Sequence, residues 1–476
     1  MSSPVSVQLK GNLGPIGIAM MVVATAAPLT VMVGVSPLII GLGNGAAAPM
    51  NAIIVGIVML LFAVGFVSMS KYIENAGAFY AYILKGMGRV TGLGAASLAV
   101  FSYTLILIAL EAYIGVVLSD ALSGLINVEL PWWLYTIGVV AFVGLLGYRN
   151  IEVSTKILGV ALILEISVIL LLNLAVIGSI GWNGLDSRSF ELSTFLSGSP
   201  GLGILFAIFG FIGFESTVVY REEAKNPERS IPWATYIAVI FISLLYFVSM
   251  WCVVSAVGVE DVVRISTENA EGMYLDLVTG YLGGGMHDFA QVLLITSLFA
   301  VVISIHNIIA RYKYVLGSCG VLMANLAKVH ATHSSPYVAS AVQTFISVSL
   351  LLAAALVGLD PVTEIYAWGA AAGTLGYMII VALACLSVIC FFAKHPESKN
   401  VWKTKIAPGL ALVGLIGFMY IAFSNLSALT GSQGYDAINV TIVSSIIVAF
   451  VIGSGGAVLM KLKAPKRFDA ILSHMN

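Results

Sequence analysis

Residues 200–232 read PGLGILFAIFGFIGFESTVVYREEAKNPERSIP. An apolar run enters from Pro200, is interrupted at Gly210-Phe-Ile-Gly213, meets a carboxylate at Glu215, and ends in the charged segment Arg221–Arg229. Each glycine weakens a helix, because it loses the most backbone freedom on ordering. A carboxylate at bilayer depth is costly and faces a cavity or the bundle interior. The stretch therefore predicts a membrane helix broken near its middle, whose loose peptide groups form half of a binding site. The plainer alternative is a tight helix crossing with one hydrogen-bonded glutamate.

The rest of the 476-residue chain fits that solvent. It is 59% hydrophobic and only 9% charged, which no soluble domain of this size matches. The apolar runs are continuous rather than alternating, so a β-barrel is excluded and an all-α polytopic membrane protein is expected. Runs of spanning length fall at 14–42, 46–70, 92–120, 131–148, 154–179, 200–222, 232–258, 286–312, 337–358, 364–393, 405–427 and 438–461, about twelve spans. No loop is long enough for a separate soluble domain, so 1–461 reads as one transporter domain and 462–476 as a cytoplasmic basic tail. The first run lacks a cleavage signature and reads as a retained span.

Of the 22 basic residues, all but Arg188 and Arg264 fall in segments on one side of this arrangement. By the positive-inside rule both termini are cytoplasmic, in the plasma (inner) membrane. Pro131-Trp132-Trp133 then begins span four at the outer interface. A net charge of −1 gives no reason to expect a nucleic-acid partner. Cys252, Cys319, Cys385 and Cys390 read as reduced packing residues. The six histidines show no metal-ligand spacing, and neither a metal nor a cofactor is expected. No Walker A, HExxH or usable GxSxG motif is present, which argues against an ATP-driven pump and against an enzyme.

Span one carries its own defect. In MMVVATAAPLTVMVG (Met20–Gly34), Pro28 lacks an amide donor and clashes with the preceding turn. The helix should open near Ala26–Ala27 and restart with Pro28 in its first turn. Five spans separate the two defects, so equivalent positions have opposite orientation. Paired breaks in two such halves point to inverted repeats, one about 14–179 and the other about 200–393, with the helices at 405–461 outside them. The repeat is inferred from the placement of the defects alone.

The residues also carry a resemblance. Gly210-Phe-Ile-Gly213-Phe-Glu215-Ser216, followed by Glu223-Ala-Lys-Asn-Pro227-Glu-Arg-Ser-Ile-Pro232, resembles the sixth helix and following loop of the amino acid–polyamine–organocation (APC) permeases. Asn75-Ala-Gly-Ala-Phe-Tyr80-Ala-Tyr82 is similar to their second-to-third-helix loop, and Ser304-Ile-His-Asn307-Ile-Ile-Ala-Arg311 resembles the end of their eighth helix. The resemblance covers essentially the whole chain. It implies the LeuT-type five-plus-five inverted-repeat fold and transport of amino acids or related amines. The chain departs from the family at Thr25-Ala-Ala-Pro-Leu-Thr30, where relatives have a glycine-rich break, and at Asn75 and Ala78. It also departs at Glu165, which stands where many relatives carry a lysine.

An amino acid at the two breaks would need no charged side chain. The restarted half of span one begins near Pro28, Leu29 and Thr30, and its free amide donors and positive dipole end would favour a carboxylate. Carbonyls at Ala24, Ala26 and Ala27, and at Phe209–Gly210, would accept from an ammonium. Phe209, Phe211 and Ile212 would cover the ligand, Gly210 and Gly213 would let it approach the backbone, and Tyr103 faces it from span three. By resemblance, Phe209 falls at an aromatic gate. Glu215 is either a proton carrier or a tie for the restarted half of span six. Glu165 is either a coupling group, taking a proton in the manner of a removable ion, or a glutamate bonded within the bundle. Glu111 either draws cationic substrates into an outer vestibule or is structural. The reading is a secondary active transporter working by alternating access, with a proton rather than sodium expected as the coupling ion, or exchange of substrates. The rival is a substrate sensor or partner-dependent subunit of the same fold. The mixed charges of Arg221–Arg229 are read as a solvated helix end, or as a latch at the inner gate.

Overall fold

The computed structural model describes residues 13–73, 79–126, 130–149, 155–217, 224–395, 400–432, 434 and 436–474. The loop signature at Asn75–Ala78 and the first residues of the Arg221 segment lie outside them. Among the described residues there is no β-strand, only an isolated parallel bridge between Leu13 and Ala224.

Every expected span coincides with a helical element. Helix α1 comprises Pro15–Ala26 and a restarted half at 28–44; α2 is Ala48–Ser70, α3 Arg89–Ile126, α4 Trp132–Tyr148, α5 Thr155–Ile180 and α6 Pro200–Phe209. Then come α7 at Pro227–Val257, α8 at Gly284–Ser318, α9 at Tyr337–Val357, α10 at Pro361–Lys394, α11 at Trp402–Ser424, α12 at Ala437–Lys463 and α13 at Pro465–His474. Among the described residues, ten stretches are long and apolar enough to cross a membrane, and the first runs unbroken by that measure from Pro15 to Ser70. Its 56 residues would be about 84 Å long as one helix, against a hydrocarbon core of about 30 Å. The chain instead turns at Gly43–Ala47, where Gly45 adopts φ +58°. Apolar side chains point outward, among them Val413, Tyr420, Leu356 and Val451, as expected for a bundle solvated by lipid.

The two interrupted helices lie side by side. Where α1 ends, the Ser199 amide donates to the Gly43 carbonyl (2.8 Å), and Asn44 donates to the Phe195 carbonyl (3.2 Å). Where α1 begins, the Lys225 amide, two residues before α7, donates to the Leu13 carbonyl (3.0 Å). Gly43 meets Gly203, Val31 meets Gly210 and Thr25 meets Gly213, so α1 and α6 run antiparallel. Around them, α3 and α10 approach closely through small residues: a Cβ on Gly369, Gly373 or Gly376 would sit 2.0–3.1 Å from atoms of Ser102, Leu105, Ile106 or Ala109.

Outside the core bundle, Val262–Glu268 and Met273–Leu282 form two short helices. The C-terminal segment carries a further helix: Phe468 and Ile471 of α13 are buried, and Asp469 pairs with Arg89 at 3.0 Å. Lys313, which the sequence places in an inner segment, is buried inside α8 and donates to Gln343 Oε1 at 2.6 Å. An amphipathic residue that finds an acceptor inside the bundle has no need to reach the interface.

Candidate functional site

Both breaks form where the local chemistry requires. The first half of α1 stops at Ala26, Ala27 turns left-handed (φ 47°, ψ 71°), and Pro28 opens the second half at its first position. The first half of α6 stops at Phe209, and the chain passes through turn and 3-10 geometry from Gly210 to Thr217. Gly213 takes φ +109°, a conformation that residues with a Cβ rarely adopt. The breaks touch: a Cβ on Gly213 would lie 2.9 Å from Thr25 Cγ2, and one on Gly210 would lie 3.1 Å from Val31 Cγ1. Ala26, Ala27, Pro28, Leu29, Thr30, Gly210 and Gly213 are all buried, with Ala24 partly so.

Glu215 is held from three directions. It accepts from Tyr103 Oη (2.6 Å) at Oε1, and from the Gly213 amide (2.9 Å) and Tyr377 Oη (3.2 Å) at Oε2. It therefore links the unwound part of α6 to α3 and α10. Tyr103, expected beside the substrate, donates its hydroxyl to Glu215. A short Oη–carboxylate bond of this kind is among the stronger hydrogen bonds in proteins.

Glu165 sits at the other break. Its carboxylate accepts from Ser297 Oγ (3.1 Å) and stands near the Leu29 amide, and Ser297 in turn receives Thr30 Oγ1 (3.2 Å). This joins α5, α8 and the start of the second half of α1. Of the amides expected to meet a ligand carboxylate, that of Leu29 thus has the chain's own carboxylate as a neighbour. A helix N-terminus with spare N–H groups binds whichever anion is nearest.

Glu111 is wholly buried beside Ser347 of α9, in a seam also packed by Ile108, Val140 and Leu351. Phe211 is fully buried and packs edge-on against Tyr246 of α7, ring centres 6.1 Å apart. Phe209 and Ile212 stay next to the breaks with slight exposure, and Phe209 stands 6.3 Å from the Tyr366 ring.

Tyr377, Ser297 and Thr25 were not singled out from the sequence. Tyr377 had a visible cue, since it follows the small-residue series Gly369, Gly373 and Gly376 that draws α10 onto α3. Ser297 is one hydroxyl among several in α8, and nothing local distinguishes it.

The pattern of the family described as amino acid permease matches residues 13–452. A branched-chain amino acid permease of Bacillus subtilis, BcaP, is 26% identical over 43% of this chain, so the chain spans less than half (42%) of that relative's length. The methylthioribose transporter of Bacillus subtilis is 23% identical over 79% of this chain and 81% of its own. The low-affinity putrescine importer PlaP of Escherichia coli is 23% identical over 66% of this chain and 68% of its own. With the family pattern running along nearly all of an all-helical bundle that carries ten membrane-length apolar stretches, this chain is a multi-pass membrane protein and belongs to the amino acid permease family.

Proposed function

We propose that the protein is a secondary active transporter, not an enzyme, that carries an amino acid or a related amine by alternating access. The observation that carries this reading is the meeting of two interrupted helices, Gly213 against Thr25, in the middle of an otherwise regular bundle. Unwound backbone inside a membrane protein is tolerated where it lines a site, and small solutes with a carboxylate and an ammonium suit loose amides and carbonyls. The relatives' names favour the same substrates: a branched-chain amino acid permease on one side and a putrescine importer on the other.

In this reading α1 and α6 move together, because a backbone hydrogen bond from Ser199 to Gly43 and the close approach of the two breaks hold them to each other. The fixed part is built of α3, α4, α8 and α9. Glu165 is the coupling site for a proton, since it bridges the moving α1 to α5 and α8. Glu215 is a hinge tie: three donors converge on its two oxygens, and a proton placed there would displace one of them. The protein is placed in the plasma (inner) membrane with both termini cytoplasmic, on the distribution of its lysines and arginines.

Purified protein in liposomes tests the reading. With an inward proton gradient, labelled branched-chain amino acids or putrescine should accumulate above their external concentration. Binding without accumulation would instead make the protein a sensor or a partner-dependent subunit.

A further inference from the structure

At the basic end of the bundle a cleft of about 670 Å³ opens between the start of α3, the ends of α10 and α12, and α13. Four cations from different elements line it: Lys85, Arg89, Lys394 and Lys461. Among the described residues, one acid answers them. Asp469 takes Arg89 Nη1 at 3.0 Å, while Arg89 Nη2 donates to the Asp469 carbonyl at 3.2 Å. The Lys85 ammonium is drawn inward to the Tyr72 carbonyl. Lys394 and Lys461 form no ion pair among the described residues. Arg89 Nε is buried and has no acceptor.

Cations gathered this closely repel one another unless an anion joins them. The position of Arg89 is itself fixed, with its guanidinium 5.2 Å from the centre of the Phe468 ring. A held guanidinium flanked by lysines is the usual apparatus for phosphate oxygens. Met87 and Phe468 add an apolar wall to the same cleft, which suits a ligand with a chain attached to its phosphate.

We propose that this cleft binds a phosphate-bearing anion, and that Asp469 of α13 occupies part of its place by engaging Arg89. The phosphate comes from an anionic phospholipid of the adjoining leaflet or from a soluble phosphate. Basic pockets between membrane helices at this depth recognise both by the same contacts.

The test uses the full chain, purified in an uncharged detergent or in phosphatidylcholine nanodiscs, with the thermal unfolding midpoint as readout. One arm adds phosphatidylglycerol and the other inorganic pyrophosphate. A saturable rise in midpoint with either is expected. The arm that produces it identifies the source. Both exposed lysines are then replaced, as Lys394→Ala with Lys461→Ala. Apparent affinity should fall at least tenfold, with the ligand-free midpoint unchanged. Asp469→Asn should raise affinity, because Arg89 loses its internal competitor. No response to either anion overturns the proposal. So does a rise of the same size in the double variant, which would mean diffuse surface charge.

Discussion

Replacing Gly213 with alanine tests the central geometry most directly. Two separate penalties follow from the structure. The backbone at Gly213 sits at φ +109°, and a residue with a Cβ held there costs about 1–3 kcal/mol. The new Cβ also lies 2.9 Å from Thr25 Cγ2, well inside van der Waals contact, and overpacking of that kind costs about 1–3 kcal/mol. Together they amount to about 2–6 kcal/mol, a large share of the stability of an ordinary domain. The two parts can be separated. In Thr25→Ser the offending methyl is gone, while the hydroxyl bond to the Met21 carbonyl (3.1 Å) can persist. Adding Thr25→Ser to Gly213→Ala should therefore recover the steric part and leave the backbone part, a coupling of about 1–3 kcal/mol between neighbours. Gly210→Ala is the control. Its φ is −65°, and its nearest side-chain contact is a Val31 methyl at 3.1 Å, so its effect should be the smaller. The assays are the thermal midpoint in detergent and uptake into liposomes. Wild-type behaviour of Gly213→Ala in both, or no partial rescue by Thr25→Ser, would refute the contact between the two breaks.

Three further outcomes are expected. Tyr103→Phe should lower the thermal midpoint and slow transport more than Tyr377→Phe, because Tyr103 holds Glu215 at 2.6 Å and Tyr377 at 3.2 Å, and a hydrogen bond to a charged group contributes about 1.5–3 kcal/mol. Glu165→Gln should make substrate affinity independent of pH; an unchanged pH response would move the coupling role to Glu215. In the exposed 182–190 loop, Arg188 holds the Asp186 carboxyl below its ordinary range, chiefly through their side-chain hydrogen bond. The contribution of that pair is present above the ordinary carboxylate range and is lost as pH falls through the lowered value. Hydrogen exchange of the 182–190 loop should accelerate on acidification, modestly since both partners face water, and Asp186→Asn should remove most of that acid dependence.

Much of the architecture was legible because its causes are local. A span needs only a run of apolar residues, and Pro28 and Gly213 act on the backbone at their own positions, so the breaks at Ala27 and Gly210 fall where the sequence puts them. The polar ties were not legible, because their partners are distant. Glu215 reaches Tyr103 across 112 residues and Tyr377 across 162, and Glu165 reaches Ser297 across 132. Helical spacing put Glu111 on nearly the same face as Tyr103, yet whether that face meets water or another helix depends on α9, whose Ser347 covers it. Periodicity within one helix says which residues share a side. It does not say what lies opposite.

The position of Glu165 turns the two ideas about the site, an amide nest for a carboxylate and a protonatable group, into one. The Leu29 amide has a single N–H, and Glu165 is the carboxylate beside it. A substrate carboxylate can use that donor only if Glu165 yields it. Deprotonated Glu165 is a strong acceptor bearing the same charge as the incoming group; protonated, it is a weaker acceptor and no longer repels. Proton and substrate would then bind with positive coupling, and by linkage each must favour the other to the same degree. Substrate affinity should rise as pH falls through the titration of Glu165. The neutral amide introduced by Glu165→Gln should fix the high-affinity state, so that equilibrium binding is tight at every pH while concentrative uptake is lost. If instead the variant binds weakly at all pH values, Glu165 is needed as an anion, and the substrate group that meets it is an ammonium.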